Sequence, residues 1–298
     1  MNRIVECVPN FSEGRRKEVV ETIVEPFRRA EGVKLLDYSS DPDHNRTVVT
    51  VVGEPESVLS ATYEAIRAAT ALINMEEHKG AHPRMGATDV VPFVPIKNVS
   101  MEDCVELARR LGEMVGRELQ IPVYLYEAAA TSPQRTNLAD IRKGEYEGWK
   151  TKITLPEWAP DFGPNRLHPT AGATVIGARM PLIAFNVNLA TSDIKIANAI
   201  ARAVRHINGG LRYVKALGIE LKEKGIVQVS MNMTDYTKTP LYRAMELIRA
   251  EARRYGVSIL SSEIVGLTPM QALIDAAAYY LQLEEFSLSQ VLENRLYE

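Results

Sequence analysis

The order of short apolar segments constrains the fold of this chain more than any other feature. The first half contains a strand, a helix, two strands, a helix and a strand, at residues 3–8, 15–30, 32–38, 46–53, 55–73 and 88–96. The second half repeats that order at residues 181–189, 191–207, 211–219, 225–236, 240–256 and 257–267. Helical periodicity and strand-like runs distinguish the two kinds of segment. The order βαββαβ is the split βαβ, or ferredoxin-like, arrangement. The sequence therefore predicts an α/β (α+β) protein built from two ferredoxin-like βαββαβ subdomains.

Other segments add detail to this pattern. A further helix is predicted at 100–119, a strand at 121–127 and a closing helix at 268–281. Residues 128–180 are rich in Pro, Gly and polar side chains, which is typical of a functional loop or a linker. In the second half, Thr191 or Ser192 is expected to cap the helix, and Gly218 and Gly225 are expected to bracket a turn.

Charge and composition exclude several classes of function. The formal net charge of −3 argues against a nucleic-acid or anionic-membrane binder, which would need a basic excess. No run approaches 18 apolar residues, so no membrane span is expected, and no secretory signal is evident. Cys7 and Cys104 are too few for a disulfide framework, so we expect buried thiols in a reducing cytoplasm.

Two histidines stand four residues apart in "EEHKGAHPRMGATDVVPF" (76–93). A helical His-x₃-His pair can bind a metal, but Gly80 and Pro83 disfavour the helix that would align His78 and His82. Nor does the sequence offer a nearby cluster of further ligands. We therefore expect no metal, and we expect His78 to lie on the surface at the end of the preceding helix.

His82 has two interpretations from the sequence alone. Its loop is constrained by Pro83 and Gly86, Arg84 is close by, and a histidine near its usual pKa can accept and return a proton in one turnover. His82 is therefore a candidate general acid/base. It could equally be a packing residue of the loop, because most histidines are not catalytic.

Three polar loops offer candidate ligand contacts. The loop "APDFGPNRLHPTAGAT" (159–174) is either a ligand-binding loop or an ordinary linker, and it lacks the phosphate-binding P-loop motif. The loops at 8–14 and 41–47 adjoin strands of the first half. There Asn10 and Ser12 could donate or accept hydrogen bonds, and Arg46 could hold a carboxylate.

Together these segments resemble the glutamate formiminotransferase family. The resemblance is carried in order by "VECVPNFSEG", "NRTVVTVVG", "HPRMGATDVVPF", "PVYLYE", "WAPDFGP" and "GARMPLIAFNVNL". It covers nearly the whole chain. It implies transfer of a formimidoyl group between N-formimidoyl-L-glutamate and tetrahydrofolate in histidine degradation, giving 5-formimidoyltetrahydrofolate and L-glutamate. Tetrahydrofolate would be a co-substrate, and no metal is required.

The resemblance also implies an architecture and an assembly. It predicts an N-terminal subdomain at 1–178 and a C-terminal subdomain at 179–298, with folate bound between their two sheets. A cytoplasmic homodimer acting on small molecules is expected. Some members continue into a cyclodeaminase domain, whereas this sequence ends at "ENRLYE", so only the transferase activity is expected.

The family motifs assign roles to particular residues. His82 matches the catalytic histidine. The folate-binding segment maps onto Gly163, Pro164, Asn165, Arg166, Leu167, His168, Pro169, Thr170, Ala171 and Gly172. Substrate contacts are expected from Asn10, Asp37, Arg46 and Arg84, and Arg166 is a further candidate for a carboxylate. The aspartate that assists the histidine in the family is replaced by Ser39, with Asp41 nearby, so that partner stays open.

Two alternative functions are also compatible with the sequence. A folate-dependent glutamate formyltransferase would use the same acid/base residue, and a folate-binding protein without turnover would use the same loop. A ferredoxin-like RNA-binding module is a third, but the strands lack its paired aromatic residues.

Overall fold

The computed structural model describes residues 3–295, which divide into two compact units between Arg179 and Met180. The elements of the first unit are β1 (Ile4–Cys7), β2 (Asn10–Phe11), α1 (Lys17–Arg29), β3 (Val33–Asp41), β4 (Arg46–Gly53), α2 (Pro55–Leu72), β5 (Thr88–Lys97), α3 (Met101–Glu118), β6 (Val123–Glu127), α4 (Leu138–Arg142), α5 (Glu145–Lys152) and β7 (Thr174–Ala178).

A seven-stranded sheet forms the centre of the first unit. β1 and β2 follow one another between β4 and β5, and β3 lies outside β4, all antiparallel. This part has the ferredoxin-like strand order, as predicted. β7 and β6 then extend the sheet beyond β5 in parallel orientation. The sheet therefore continues past the ferredoxin-like core by two strands.

Helices α1, α2 and α3 contribute apolar faces to the core of this unit. α1 buries Val19, Val20, Ile23, Val24 and Phe27, the face that its periodicity predicts. α3 begins with a capping box in which Ser100 and Asp103 each bond the other's backbone amide. Pro26 lies inside α1, which ends three residues later.

The second unit has its own four-stranded sheet. Its elements are β8 (Ile183–Leu189), α6 (Ile194–Val204), β9 (Val214–Leu221), β10 (Ile226–Met233), α7 (Leu241–Arg254), β11 (Ile259–Val265), α8 (Met270–Leu281) and α9 (Leu292–Arg295). The strand order β11-β8-β10-β9 is antiparallel throughout and ferredoxin-like. The prediction of two βαββαβ units is thus confirmed.

Several local predictions were wrong. The side chain of Asp193 caps α6 by accepting from the Lys195 amide, because the helix begins later than predicted. Gly218 lies within β9, and Lys222–Lys224 and Gly225 form the turn instead. The weakly patterned region holds two short helices, and β7 was missed because it is short and rich in small residues.

The two cysteines are free and buried, as predicted. Cys7 lies on β1 and Cys104 on α3, both within the core of the first unit. Burial raises the pKa of the Cys7 thiol to about 12, so it is an uncharged packing group.

Candidate active site

The loop that carries His82 runs from α2 to β5 and packs on the turn between β3 and β4. The side-chain amide of Asn45 donates to the Lys79 carbonyl at 3.1 Å, and the backbone amide of Ala81 donates to the Asp43 carbonyl at 3.1 Å. A Cβ at Gly80 would lie 2.2 Å from the carbonyl oxygen of His44, so only glycine allows this approach. The two loops are consequently held against each other, side by side.

The other side of the same loop pairs with residues 171–173. The Ala87 amide donates to the Ala171 carbonyl at 2.9 Å, and the Ala173 amide donates to the Met85 carbonyl at 3.2 Å. Gly172 has a φ of +70°, and a Cβ there would lie 2.4 Å from the Met85 carbonyl oxygen. The end of the predicted folate-binding segment is therefore bonded directly to the histidine loop.

A narrow, open cavity lies where these loops meet, and the space between its walls, open solvent included, is about 190 Å³. It is lined by Phe11, Ser12, His44, Asn45, Arg46, His78, His82, Arg84 and Asp89. All of these residues belong to the first unit, although the sequence separates them by up to 78 positions. The cavity thus brings together the histidine loop and the two polar loops at 8–14 and 41–47.

His82 is half-buried at this cavity. Within residues 3–295 neither of its ring nitrogens makes a hydrogen bond, so both are open to a ligand. Burial, followed by the charges of Arg46 and Arg142, lowers the pKa of His82 from 6.5 to about 4. The expected titration near neutrality is therefore wrong for the ligand-free protein. His82 is therefore neutral at pH 7 and can accept a proton.

Two arginines create a positive field around His82. Arg46 donates to the amide oxygen of Asn10, and Arg142 donates to the Asp89 carboxylate. In both guanidinium groups the Nε atom is buried and lacks a hydrogen-bond partner among residues 3–295. Burial lowers the pKa of Arg46 to about 10, with Arg142 adding to the effect. Arg46 also lines the cavity, where its guanidinium group can pair with an anion.

Arg84 lies at the cavity wall but its charge is already paired. Its guanidinium group bonds Glu145 and Glu147, each at 2.7 Å, and the residue is only 8% exposed. The Tyr146 amide also donates to the Arg84 carbonyl at 2.8 Å. We therefore assign Arg84 to fixing α5 against the histidine loop, and not to binding a substrate carboxylate.

The remaining histidines of the cavity have distinct surroundings. His78 is half-buried, its Nε2 lies 3.0 Å from the Asn45 carbonyl, and burial lowers its pKa. The expectation of a surface position was wrong, because the loop folds back on the β3–β4 turn. His44 bonds the Asp41 carboxylate through Nδ1 at 2.5 Å, and its ring centre lies 6.1 Å from that of His82.

Comparison with known proteins identifies the family. The N-terminal subdomain of the formiminotransferase domain matches residues 4–179, and the formiminotransferase domain matches residues 184–296. The chain is 52% identical to glutamate formimidoyltransferase of Streptococcus pyogenes serotype M1, over 99% of both chains. The chain belongs to the formiminotransferase family.

Two further members of the formiminotransferase family show how widely the similarity extends. Glutamate formimidoyltransferase of Thermoplasma acidophilum is 52% identical, over 98% of this chain and 97% of that one. Formimidoyltransferase-cyclodeaminase of Mus musculus is 45% identical over 99% of this chain, which spans 57% of the mouse protein.

The segment that the formiminotransferase resemblance assigns to folate is anchored at both ends. At its start, a Cβ on Gly163 would lie 2.4 Å from the Ile121 carbonyl oxygen, so this glycine packs against protein backbone. At its end, the Nδ1 atom of His168 accepts from the Ala171 amide at 3.0 Å. Asn165 and Arg166 between these anchors are exposed. A ligand can therefore reach the middle of the segment.

Only some of the other predicted contact residues lie near the cavity. Asn10 is buried and reaches the site through its bond to Arg46. Asp37 is exposed on β3, opposite Thr50, and does not line the cavity. Arg166 does not line it either. Arg142 and His44 were not assigned a role from the sequence. The acidic residue Asp89 in the motif at 76–93 was the one sequence feature that could have indicated a cationic partner.

Within residues 3–295, no group of three His, Cys, Asp or Glu side chains is placed to hold a metal ion. In the same part of the chain, none of the helices has both the length and the apolar character needed to cross a bilayer.

Proposed function

We propose that this chain is a folate-dependent glutamate formimidoyltransferase, in which His82 is the general acid/base. It transfers the formimidoyl group from N-formimidoyl-L-glutamate to tetrahydrofolate, giving 5-formimidoyltetrahydrofolate and L-glutamate, a step of histidine degradation. The similarity to curated glutamate formimidoyltransferases over 97–99% of both chains supports this reaction.

The observation that carries the proposal is the state of His82. The amine of tetrahydrofolate attacks the amidine carbon of the donor, and the attacking nitrogen must then lose a proton. A neutral imidazole with both ring nitrogens open can accept that proton at pH 7. Burial, together with the charges of Arg46 and Arg142, keeps His82 neutral before the substrates bind. A substrate carboxylate that pairs with them would weaken their field and make the protonated imidazole easier to form.

Arg46 and Arg142 are the residues that we propose for a substrate carboxylate. Each spends one hydrogen bond on a neighbour, Asn10 or Asp89, and each retains an unpaired Nε. The site therefore carries two cations against the single carboxylate of Asp89 at the cavity wall. Both carboxylates of the glutamate donor suit such a field. Arg142 replaces Arg84 in this role, because the charge of Arg84 is committed to α5.

Residues 163–172 are proposed to bind the folate. The supporting observation is the pairing of residues 171–173 with residues 85–87, which ties the segment to the histidine loop. Arg166 is exposed in the middle of the segment and offers a cation for the folate carboxylates. Binding of both substrates near one base would convert a bimolecular reaction into a unimolecular one, which is the larger part of the acceleration.

The test compares the purified chain with its His82→Ala variant. With N-formimidoyl-L-glutamate and tetrahydrofolate, we expect turnover by the unaltered chain and a loss of about 10²–10⁴-fold in the variant. Folate binding, followed by calorimetry, should persist in the variant. His206→Ala, an exposed histidine of the second unit, is the matched control. Turnover with N-formyl-L-glutamate alone would contradict the proposed donor, and unchanged turnover in His82→Ala would contradict the proposed role.

The proposal extends to the assembly and to its location. We propose a homodimer in the cytoplasm. In the second unit, exposed apolar side chains concentrate on β11 and α8 and offer an interface, including Leu260, Val265, Leu273 and Leu281. The free thiols of Cys7 and Cys104 are compatible with a reducing compartment. Light scattering after size-exclusion chromatography tests the assembly, since a monomeric mass at micromolar concentration would exclude a stable dimer.

A further inference from the structure

We propose that His44, held by Asp41, is a second catalytic residue, which protonates the departing glutamate nitrogen while His82 accepts the proton of the attacking amine. The inference rests on the proposed function. It separates the two proton transfers of the reaction between two side chains. The sequence motifs assigned no role to His44, and Asp41 was named only as lying near the open partner position of the catalytic histidine.

The first supporting observation is the Asp41–His44 pair. The Asp41 carboxylate accepts from the His44 ring at Nδ1 and also from the backbone amide of His44 at 2.9 Å. These hydrogen bonds lower the pKa of Asp41, so the carboxylate is ionised at pH 7. A carboxylate on Nδ1 fixes the ring orientation, stabilises positive charge on the ring and directs the Nε2–H outward as a donor.

The second observation is the position of the His44 ring. His44 and His82 line the same cavity, with ring centres 6.1 Å apart and ring planes at 73°. Two nitrogens on one tetrahedral carbon are about 2.4 Å apart. With a hydrogen bond of about 2.9 Å on either side, such a carbon links ring nitrogens up to about 8 Å apart. The ring centres lie within this distance, so both rings can hydrogen-bond to the nitrogens of one tetrahedral carbon.

The third observation is the backbone that maintains this spacing. The close approach of Gly80 to the His44 carbonyl and the bond from Ala81 to Asp43 hold the two loops together. The side chains of His44 and Asp41 are each about half-exposed, at 48% and 50%. Solvent can therefore reprotonate His44 after each turnover, while the deeper His82 stays neutral.

Each of the two histidines carries one proton transfer of the proposed reaction. The donor enters as the amidinium ion, and the tetrahydrofolate amine forms a C–N bond as the C=N π pair moves to the terminal nitrogen. His82 takes the proton from the attacking nitrogen. His44 gives the proton on Nε2 to the glutamate nitrogen, whose C–N bond then breaks with the electron pair leaving on that nitrogen. The amidinium ion re-forms on the acceptor. His82 then releases one proton to solvent, and His44 takes one up.

The variant His44→Gln tests the inference, with Asp43→Asn as matched control. Gln keeps hydrogen-bonding groups but cannot deliver a proton. Asp43 is exposed in the same turn and contributes backbone contacts only. We expect kcat of His44→Gln to fall about 10²-fold, within the range for one acid/base group, with KM for the donor changed less than threefold. Asp41→Asn should lose about tenfold, and Asp43→Asn should match the unaltered chain.

The pH dependence of kcat separates proton delivery from a packing role. Besides Asp41, the ionisable groups that share the cavity with His44 are Arg46, His78, His82, Arg84 and Asp89. We expect an alkaline decline of kcat in the unaltered chain that is absent in His44→Gln. A retained decline, or full kcat in His44→Gln, would overturn the inference. If His44→Gln melts at much lower temperature, Asp41→Asn decides, and full kcat there overturns it. Absence of turnover in the unaltered chain would instead refute the proposed function.

Discussion

The low pKa of His82 depends on a charge that can be removed. Burial is the largest cause of the shift from 6.5 to about 4, and the Arg46 charge is the next. Two unit charges about 8 Å apart interact by about 2 kcal/mol at an effective dielectric constant near 20, and by about half that where solvent reaches them. One pKa unit corresponds to about 1.4 kcal/mol. Replacing Arg46 by Gln should therefore raise the midpoint of His82 ionisation by about one pH unit.

The assay is an NMR titration of the histidine rings in the ligand-free protein, from about one pH unit below the expected midpoint of His82 up to pH 8. The five histidines are distinguished by single substitutions, with the missing signal of His82→Ala giving its assignment. Arg46→Lys keeps the charge and is the control. Because the neutral form is favoured on folding, His82 makes the fold less stable as pH falls from 6.5 towards 4. Arg46→Gln should reduce that loss. An unchanged midpoint in Arg46→Gln would refute the electrostatic reasoning.

Two further predictions concern stability. Gly172→Ala should lower the free energy of unfolding by about 1–3 kcal/mol or more, because alanine is strained at its φ of +70° and its Cβ would meet the Met85 carbonyl at 2.4 Å. Gly209→Ala has a φ of +91° with open space around the Cβ, and should cost only about 1 kcal/mol; equal losses in urea denaturation would contradict the close-contact explanation. Arg84→Met should destabilise the fold by about 1–3 kcal/mol, since it removes both ion pairs and leaves the carboxylates of Glu145 and Glu147 without their cation. Glu145→Gln should cost less than 1 kcal/mol, because that carboxylate is 43% exposed; a larger loss than in Arg84→Met would contradict the assignment.

Local periodicity was enough to predict most of the fold. The apolar face of α1 and the paired strands of both halves follow from patterns within a few residues of each other. β7 has no such local signal. Its sequence "TVIGA" becomes a strand because β5 and β6 provide parallel partners on both sides, and those contacts are distant in sequence.

The site was predicted less completely than the fold, for the same reason. His82 and Arg46 stand in recognisable loops, whereas Arg142 lies in a five-residue helix, 53 positions from its partner Asp89. The sequence could not indicate that the charge of Arg84 is taken by α5. It also gave no sign that burial and two arginines would move the pKa of His82 well below its usual value.

The parallel pairing of β6 with β7 has a consequence for how such a site can diverge. The chain leaves the sheet at Glu127 and re-enters at Thr174, and these two strands are immediate neighbours. The sheet therefore fixes both ends of residues 128–173, whatever sequence lies between them. This segment supplies Arg142, which pairs with Asp89 at the cavity wall, while the histidine loop belongs to the ferredoxin-like core. Changes in residues 128–173 can alter which anion is accepted, and through Arg142 they also alter the pKa of His82. Transferring residues 128–173 from one relative to another would therefore exchange the anion selectivity as one segment.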